Sequence, residues 1–224
     1  MNRIASAIAL SLLLATTPAF ADGDNVSKVN GSITAESGKQ YGDLSTVNGS
    51  IRLQDGSRST GADTVNGSIR AGDGIESGGL STVNGSIRVG TQAKVDGNVG
   101  TVNGSIFIDR GGIVDGNIET VNGAIGLVAT TVEGNVETVA GDVTIGIGSR
   151  VTGHIKVIKP TANWLPISVG NKRPPRIVIG PDAVVEGDLV FEREVVLYVH
   201  QTARTGTVTG ATPIPYDTPR APSQ

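Results

Sequence analysis

The 224-residue chain contains no cysteine. Disulfide staples, thiolate metal sites, cysteine nucleophiles and a lipid-modified cysteine are therefore excluded. Aromatic residues make up only 3% of the chain, so no core can rest mainly on Phe, Tyr and Trp. A strong charge of either sign is also missing. The formal net charge of −3 points to neither nucleic acid nor a membrane surface as partner. Histidine occurs only at His154 and His200. Beyond the N-terminus no apolar run reaches the roughly 20 residues that a transmembrane helix needs, so no transmembrane segment is expected.

The N-terminus itself reads MNRIASAIALSLLLATTPAFA. Arg3 supplies a positive start, Ile4 to Ala15 an apolar stretch, and Ala19-Phe20-Ala21 an A-x-A cleavage signal. Residues 1–21 therefore read as a signal peptide. The competing reading is a membrane anchor, for which the apolar run is short. The expected location is exported, either periplasmic or extracellular. An exported chain without disulfides needs another source of stability.

Glycine, by contrast, is plentiful: 32 residues, about twice the usual fraction. It does not recur at every third position, which excludes collagen. It belongs to a longer repeat instead. Val-Asn-Gly begins at Val29, Val47, Val65, Val83, Val102 and Val121, and a degenerate copy, VAGDV, begins at Val139. The steps are 18 or 19 residues, the mark of a solenoid with one coil per repeat. A finer step of six lies inside it, as in Val83, Val89 and Val95, and again in Ile179, Val185, Phe191, Leu197 and Ala203. Six does not fit a helical period, and the local pattern is strand alternation. Three hexads make one coil. The predicted fold is all-β: a single-stranded parallel β-helix with three short faces per 18–19-residue coil.

In this reading Val83, Gly85 and Ile87 point inward, with Gly85 leaving room in a narrow prism. Asn84, Ser86 and Arg88 point outward or into corners. Equal positions stack at the strand spacing of about 4.8 Å. Asn30, Asn48, Asn66, Asn84, Asn103 and Asn122 should then form a column of hydrogen-bonded amides, in a left-handed backbone that Asn tolerates. The alternative is Asn-Gly as a hairpin turn, which would not require an 18-residue period. The domain limits are 22–211 for the solenoid, with a loop excursion at 159–176, and 212–224 for a Pro-rich, disordered tail. About nine coils are expected.

No catalytic, cofactor-binding or metal site is expected, and no cofactor. Both histidines read as solvated surface groups. Asp96, Asp115 and Glu133 share one slot and read as a wet acidic stripe rather than a glycosidase pair or a calcium site. Arg52, Arg70 and Arg88 also share a slot. They form a candidate strip for an anionic glycan or phosphate, or else a wet edge compensated by Asp55 and Asp73. Five Asn-Gly-Ser sequons are by-products of the repeat, because glycans that close together could not all fit.

The array "VNGSI…VDGNV…VNGAI" over roughly 26–158 resembles the bacterial adhesin-domain family of exported β-solenoids. The stretch "IVIGPDAVVEGDLVFEREVVLYVHQTARTGTVTG" (177–210) is similar to bactofilins, which form polymers from β-helices. These resemblances imply a right-handed helix, in line with the crossover rule. They carry over no catalytic residue. The implied function is structural, adhesin-like or scaffolding in the bacterial envelope, without enzymatic activity. The alternatives are a module binding anionic envelope polysaccharide, or a degenerate carbohydrate-active enzyme. The implied partners are a second copy, end to end, or envelope polysaccharide.

Overall fold

The structure, a computed structural model, describes residues 23–160 and 173–222. The proposed signal peptide and the middle of the loop excursion lie outside the described residues. Among the described residues all regular structure is β: 27 short strands in a seventeen-stranded and a ten-stranded sheet. No helix there is long and apolar enough to cross a membrane.

Pairing is parallel and in register with the repeat. Ile33 pairs with Ile51, Ile51 with Ile69, Ile69 with Ile87, Ile87 with Ile106, and Ile106 with Ile125. Each step is one coil, so the chain is the expected parallel β-solenoid. The ten-stranded sheet takes one strand from each coil, which gives ten coils rather than nine. Nine intervals at the usual strand spacing make a rod about 43 Å long.

Each coil buries three inward pairs, because alternate residues of a strand face the same way. In the coil around the fourth copy these are Leu80 and Thr82, Ile87 and Val89, then Ala93 and Val95, all buried. The core is a stack of such rows, mainly Ile, Val, Leu and Ala. β-branched side chains suit this narrow pleated interior.

The phase of the repeat differs from the sequence reading. In most copies the motif valine reaches solvent: Val29 is 68% exposed and Val47 41%, with Val121 the buried exception. The buried residue is the threonine before it, at Thr46, Thr64, Thr82, Thr101, Thr120 and Thr138. Val-Asn-Gly-Ser is a four-residue corner between Thr82 and Ile87, whereas three residues separate Val89 from Ala93 and Val95 from Val99. The six-residue step therefore slips at this corner, and Val83 is carried outside. Gly85 likewise lies in the corner and not at the centre of an inward face.

The left-handed backbone also falls elsewhere. None of the column asparagines has positive φ. Most residues of positive φ sit at the corner after the ten-stranded sheet: Gly38, Gly56, Gly74, Gln92, Gly111, Ala129, Gly148 and Asp182, while Gly31, Gly123 and Gly210 have positive φ elsewhere. Most are glycine, for which this conformation is free of Cβ strain. Ala129 has φ 44°. Ala129→Gly should therefore stabilise the fold, by about 1 kcal/mol before the added freedom of the unfolded chain is subtracted. An urea midpoint below that of the parent would count against strain at this corner.

The excursion interrupts the chain but not the stack. Val143 pairs directly with Ile177 across it, and Arg176 already pairs with Val196. The tail is not the disordered segment predicted. Ile214–Tyr216 adds the tenth strand of its sheet, pairing in parallel with Tyr198, Val199 and His200. Pro213 and Pro215 lack an N–H, yet carbonyl groups remain available: Gln201 N donates to Tyr216 O at 3.0 Å.

Candidate functional site

The corners of the coil carry ladders of side chains. At the Val-Asn-Gly corner, each Asn Nδ2 donates to the Asn Oδ1 one coil earlier. The bonds run from Asn48 to Asn30, Asn66 to Asn48, Asn84 to Asn66, Asn103 to Asn84 and Asn122 to Asn103, at 3.0–3.1 Å. The six predicted asparagines thus stand in one column, most of them exposed to solvent. Beside it, Ser32, Ser50, Ser68, Ser86 and Ser105 each accept a backbone N–H from the next coil at 3.2–3.3 Å.

Behind the column the buried threonines are satisfied. Thr46, Thr64, Thr82, Thr101 and Thr120 donate to the carbonyls of Gly31, Gly49, Gly67, Gly85 and Gly104 at 2.8–3.2 Å. A buried hydroxyl without such a partner would cost about 1–3 kcal/mol. The signal was present in the sequence, since the true repeat unit is Thr-Val-Asn-Gly. A second ladder was missed entirely. Asn98, Asn117 and Asn135 accept the backbone N–H groups of Asn117, Asn135 and His154 at 2.8–3.1 Å.

Arg52, Arg70 and Arg88 are Cα partners on adjacent strands of the ten-stranded sheet and all are exposed. The next place in the column is Phe107. Among the described residues no carboxylate lies within ion-pair distance of the three guanidinium groups. The expected compensation by Asp55 and Asp73 is not direct. Their Oδ1 atoms accept the backbone N–H groups of Asp73 and Thr91, at 3.0 and 2.7 Å.

Asp96, Asp115 and Glu133 are exposed, as expected of a wet stripe. Lys94 Nζ lies 2.5 Å from Asp96 and 3.7 Å from Asp115. Glu133 accepts from the Thr152 hydroxyl at 3.0 Å. Among the described residues no group of three His, Asp or Glu is arranged to hold a metal ion.

The histidines differ from each other. His154 is partly exposed, and its Nε2 lies 3.0 Å from Glu137 Oε1. It lines an open depression of about 470 Å³ with Asn135, Lys156, Asp188 and Val190. His200 is buried, which corrects its reading as a surface group. Its ring packs edge-on against Tyr216 at 5.0 Å, and its Nδ1 pairs with the Thr202 hydroxyl at 2.9 Å. Burial is explained by the tail strand that covers it.

On the seventeen-stranded sheet Glu119 and Glu137 are outward neighbours in register. Burial, and then the Glu137 carboxylate, push the Glu119 pKa above the ordinary range, while Asn117 pulls it down. A raised native pKa favours the protonated form. The associated stability is present below the unfolded pKa of about 4.3 and is lost as pH rises through the higher native value. Glu119→Gln keeps the bond from Asn117 and removes the charge. The variant should melt above the parent at neutral pH, with the difference vanishing near pH 4. A difference that does not depend on pH would remove the electrostatic explanation.

Comparison with protein families, with curated proteins and with solved structures finds no match for the chain.

Proposed function

We propose that the chain is a non-enzymatic, exported β-solenoid that serves as a rigid structural or adhesin-like element of the bacterial envelope. The supporting observation is the continuous in-register stack of coils, tied at its corners by Asn, Ser and Asp side chains as well as by backbone bonds. Such a rod suits holding surfaces at a fixed spacing. Cell fractionation with a C-terminal tag tests the location, and capture of envelope components on the purified rod tests the role. Recovery in the cytoplasm with nothing captured from the envelope would overturn the reading.

A second reading follows from the arginine strip. Three guanidinium groups, spaced by the strand repeat of about 4.8 Å and without a carboxylate partner among the described residues, suit a linear anionic polysaccharide. Triple replacement of Arg52, Arg70 and Arg88 by Gln should abolish retention on an anionic polymer and leave the melting temperature unchanged. Retention by the parent should also fall with salt. Equal retention of parent and variant would dismiss the strip. Release of oligosaccharides from such a polymer would instead favour a carbohydrate-active enzyme.

A further inference from the structure

The six Asn-Gly pairs are chemically alike and structurally unequal. Succinimide formation requires the glycine nitrogen to lose its proton and attack the asparagine Cγ. The new N–Cγ bond forms as Cγ–Nδ2 breaks and ammonia leaves. Water then opens the ring to aspartate or isoaspartate. Anything that holds the glycine N–H or the side-chain amide in place opposes the attack.

In five copies the glycine N–H is held. Gly31, Gly49, Gly67, Gly85 and Gly104 donate to the carbonyls of Asn48, Asn66, Asn84, Asn103 and Asn122 at 2.9–3.1 Å. Four side chains, Asn48, Asn66, Asn84 and Asn103, are also held at both ends, donating to the coil before and accepting from the coil after. Asn30 accepts from Asn48, and its glycine is bonded.

The sixth copy is different because the repeat degenerates after it. The next coil places Ala140 where an asparagine would stand. Asn122 Nδ2 still donates to Asn103, but its Oδ1 accepts no bond from the described residues. Gly123 N–H has no acceptor among the described residues, where each earlier copy bonds the carbonyl that Ala140 would supply here, and in the next coil Gly141 N donates to the Thr138 hydroxyl at 3.0 Å. Asn122 and Gly123 are half-buried and keep contact with solvent.

We propose that Asn122–Gly123 is the chain's site of spontaneous deamidation and isoaspartate formation, while the other five pairs are protected by the coil stack. The test is peptide mapping by mass spectrometry after incubation at mildly alkaline pH, with isoaspartate identified by enzymatic methylation. In the folded protein Asn122 should react at least about tenfold faster than any other copy, the factor supplied by one hydrogen bond of ordinary net strength. In urea all six should react at similar rates, because each lies in the same Val-Asn-Gly context. The variant Ala140→Asn should restore a side-chain partner for Asn122 and slow its reaction, while the substituted position itself stays slow because Gly141 N is held by the Thr138 hydroxyl. Equal rates in the folded protein, a different fastest site, or a preference for Asn122 that persists in urea would each overturn the proposal.

Discussion

Gly104→Ala is expected to cost about 3 kcal/mol or more, a large share of the stability of an ordinary domain. A Cβ at this position would lie 1.9 Å from the carbonyl oxygen of Gly85 and 2.5 Å from its carbonyl carbon. Both obstacles are backbone, held by the coil below, so no side chain can move aside. The same contact recurs up the column: Gly49 meets Gly31 O at 2.2 Å, Gly67 meets Gly49 O at 2.0 Å and Gly85 meets Gly67 O at 1.9 Å. Relief therefore requires adjacent coils to separate, which breaks the bonds from Gly85 N to Asn103 and from Thr101 to Gly85. Gly100 is the control. It lies in the neighbouring strand Val99–Asn103, and a Cβ there would come no closer than 4.0 Å to Glu119 O. Gly100→Ala should be neutral or stabilising by up to about 1 kcal/mol, because glycine is a poor strand residue. Thermal melts followed by circular dichroism separate the two variants. Similar melting temperatures for both would show that the column tolerates a side chain after all.

Removing residues 212–224 should destabilise the rod and convert it from a non-associating to a self-associating particle. The tail strand Ile214–Tyr216 covers the end of the ten-stranded sheet. Tyr216 is buried, its hydroxyl donates to Ile179 O at 3.2 Å, and its ring packs edge-on against Tyr198 and His200. Arg176 adds a further clasp, with its guanidinium over the Tyr198 ring and Nη2 donating to Pro222 O at 2.8 Å. Truncation exposes Val196–His200 as a bare edge, the feature through which sheets join. Tyr216→Ala alone should cost about 3 kcal/mol, as expected for loss of a buried aromatic ring. Tyr216→Phe should cost about 1 kcal/mol, the worth of the hydroxyl bond. Light scattering and electron microscopy of intact and truncated protein decide the association. Filaments from the intact chain would mean that the tail does not stop growth and would favour a bactofilin-like polymer. A truncated chain that stays unassociated would mean that the preceding coil is itself a sufficient end.

What the sequence determined by itself was translational. Equal residues recur at 18 or 19 positions, and residues related by that step are in-register partners, as Asn84 and Asn103 are. The solenoid, the asparagine column and the alignment of Arg52, Arg70 and Arg88 all follow from this, because a stack repeats whatever its unit contains. The tertiary structure decided the phase within a coil. Four residues at one corner and three at others shift the alternation, so Thr82 faces in and Val83 faces out. A period cannot reveal this, since every phase of a repeat has the same period. The glycines show the same division. Their spacing is plain in the chain, but the carbonyl that makes Gly104 necessary belongs to another coil and becomes visible only when the coils are stacked. The tail lies outside the repeat altogether. Its prolines suggested disorder, and only the exposed edge of Val196–His200 explains why it folds as a strand, because pairing there satisfies backbone groups that would otherwise face water.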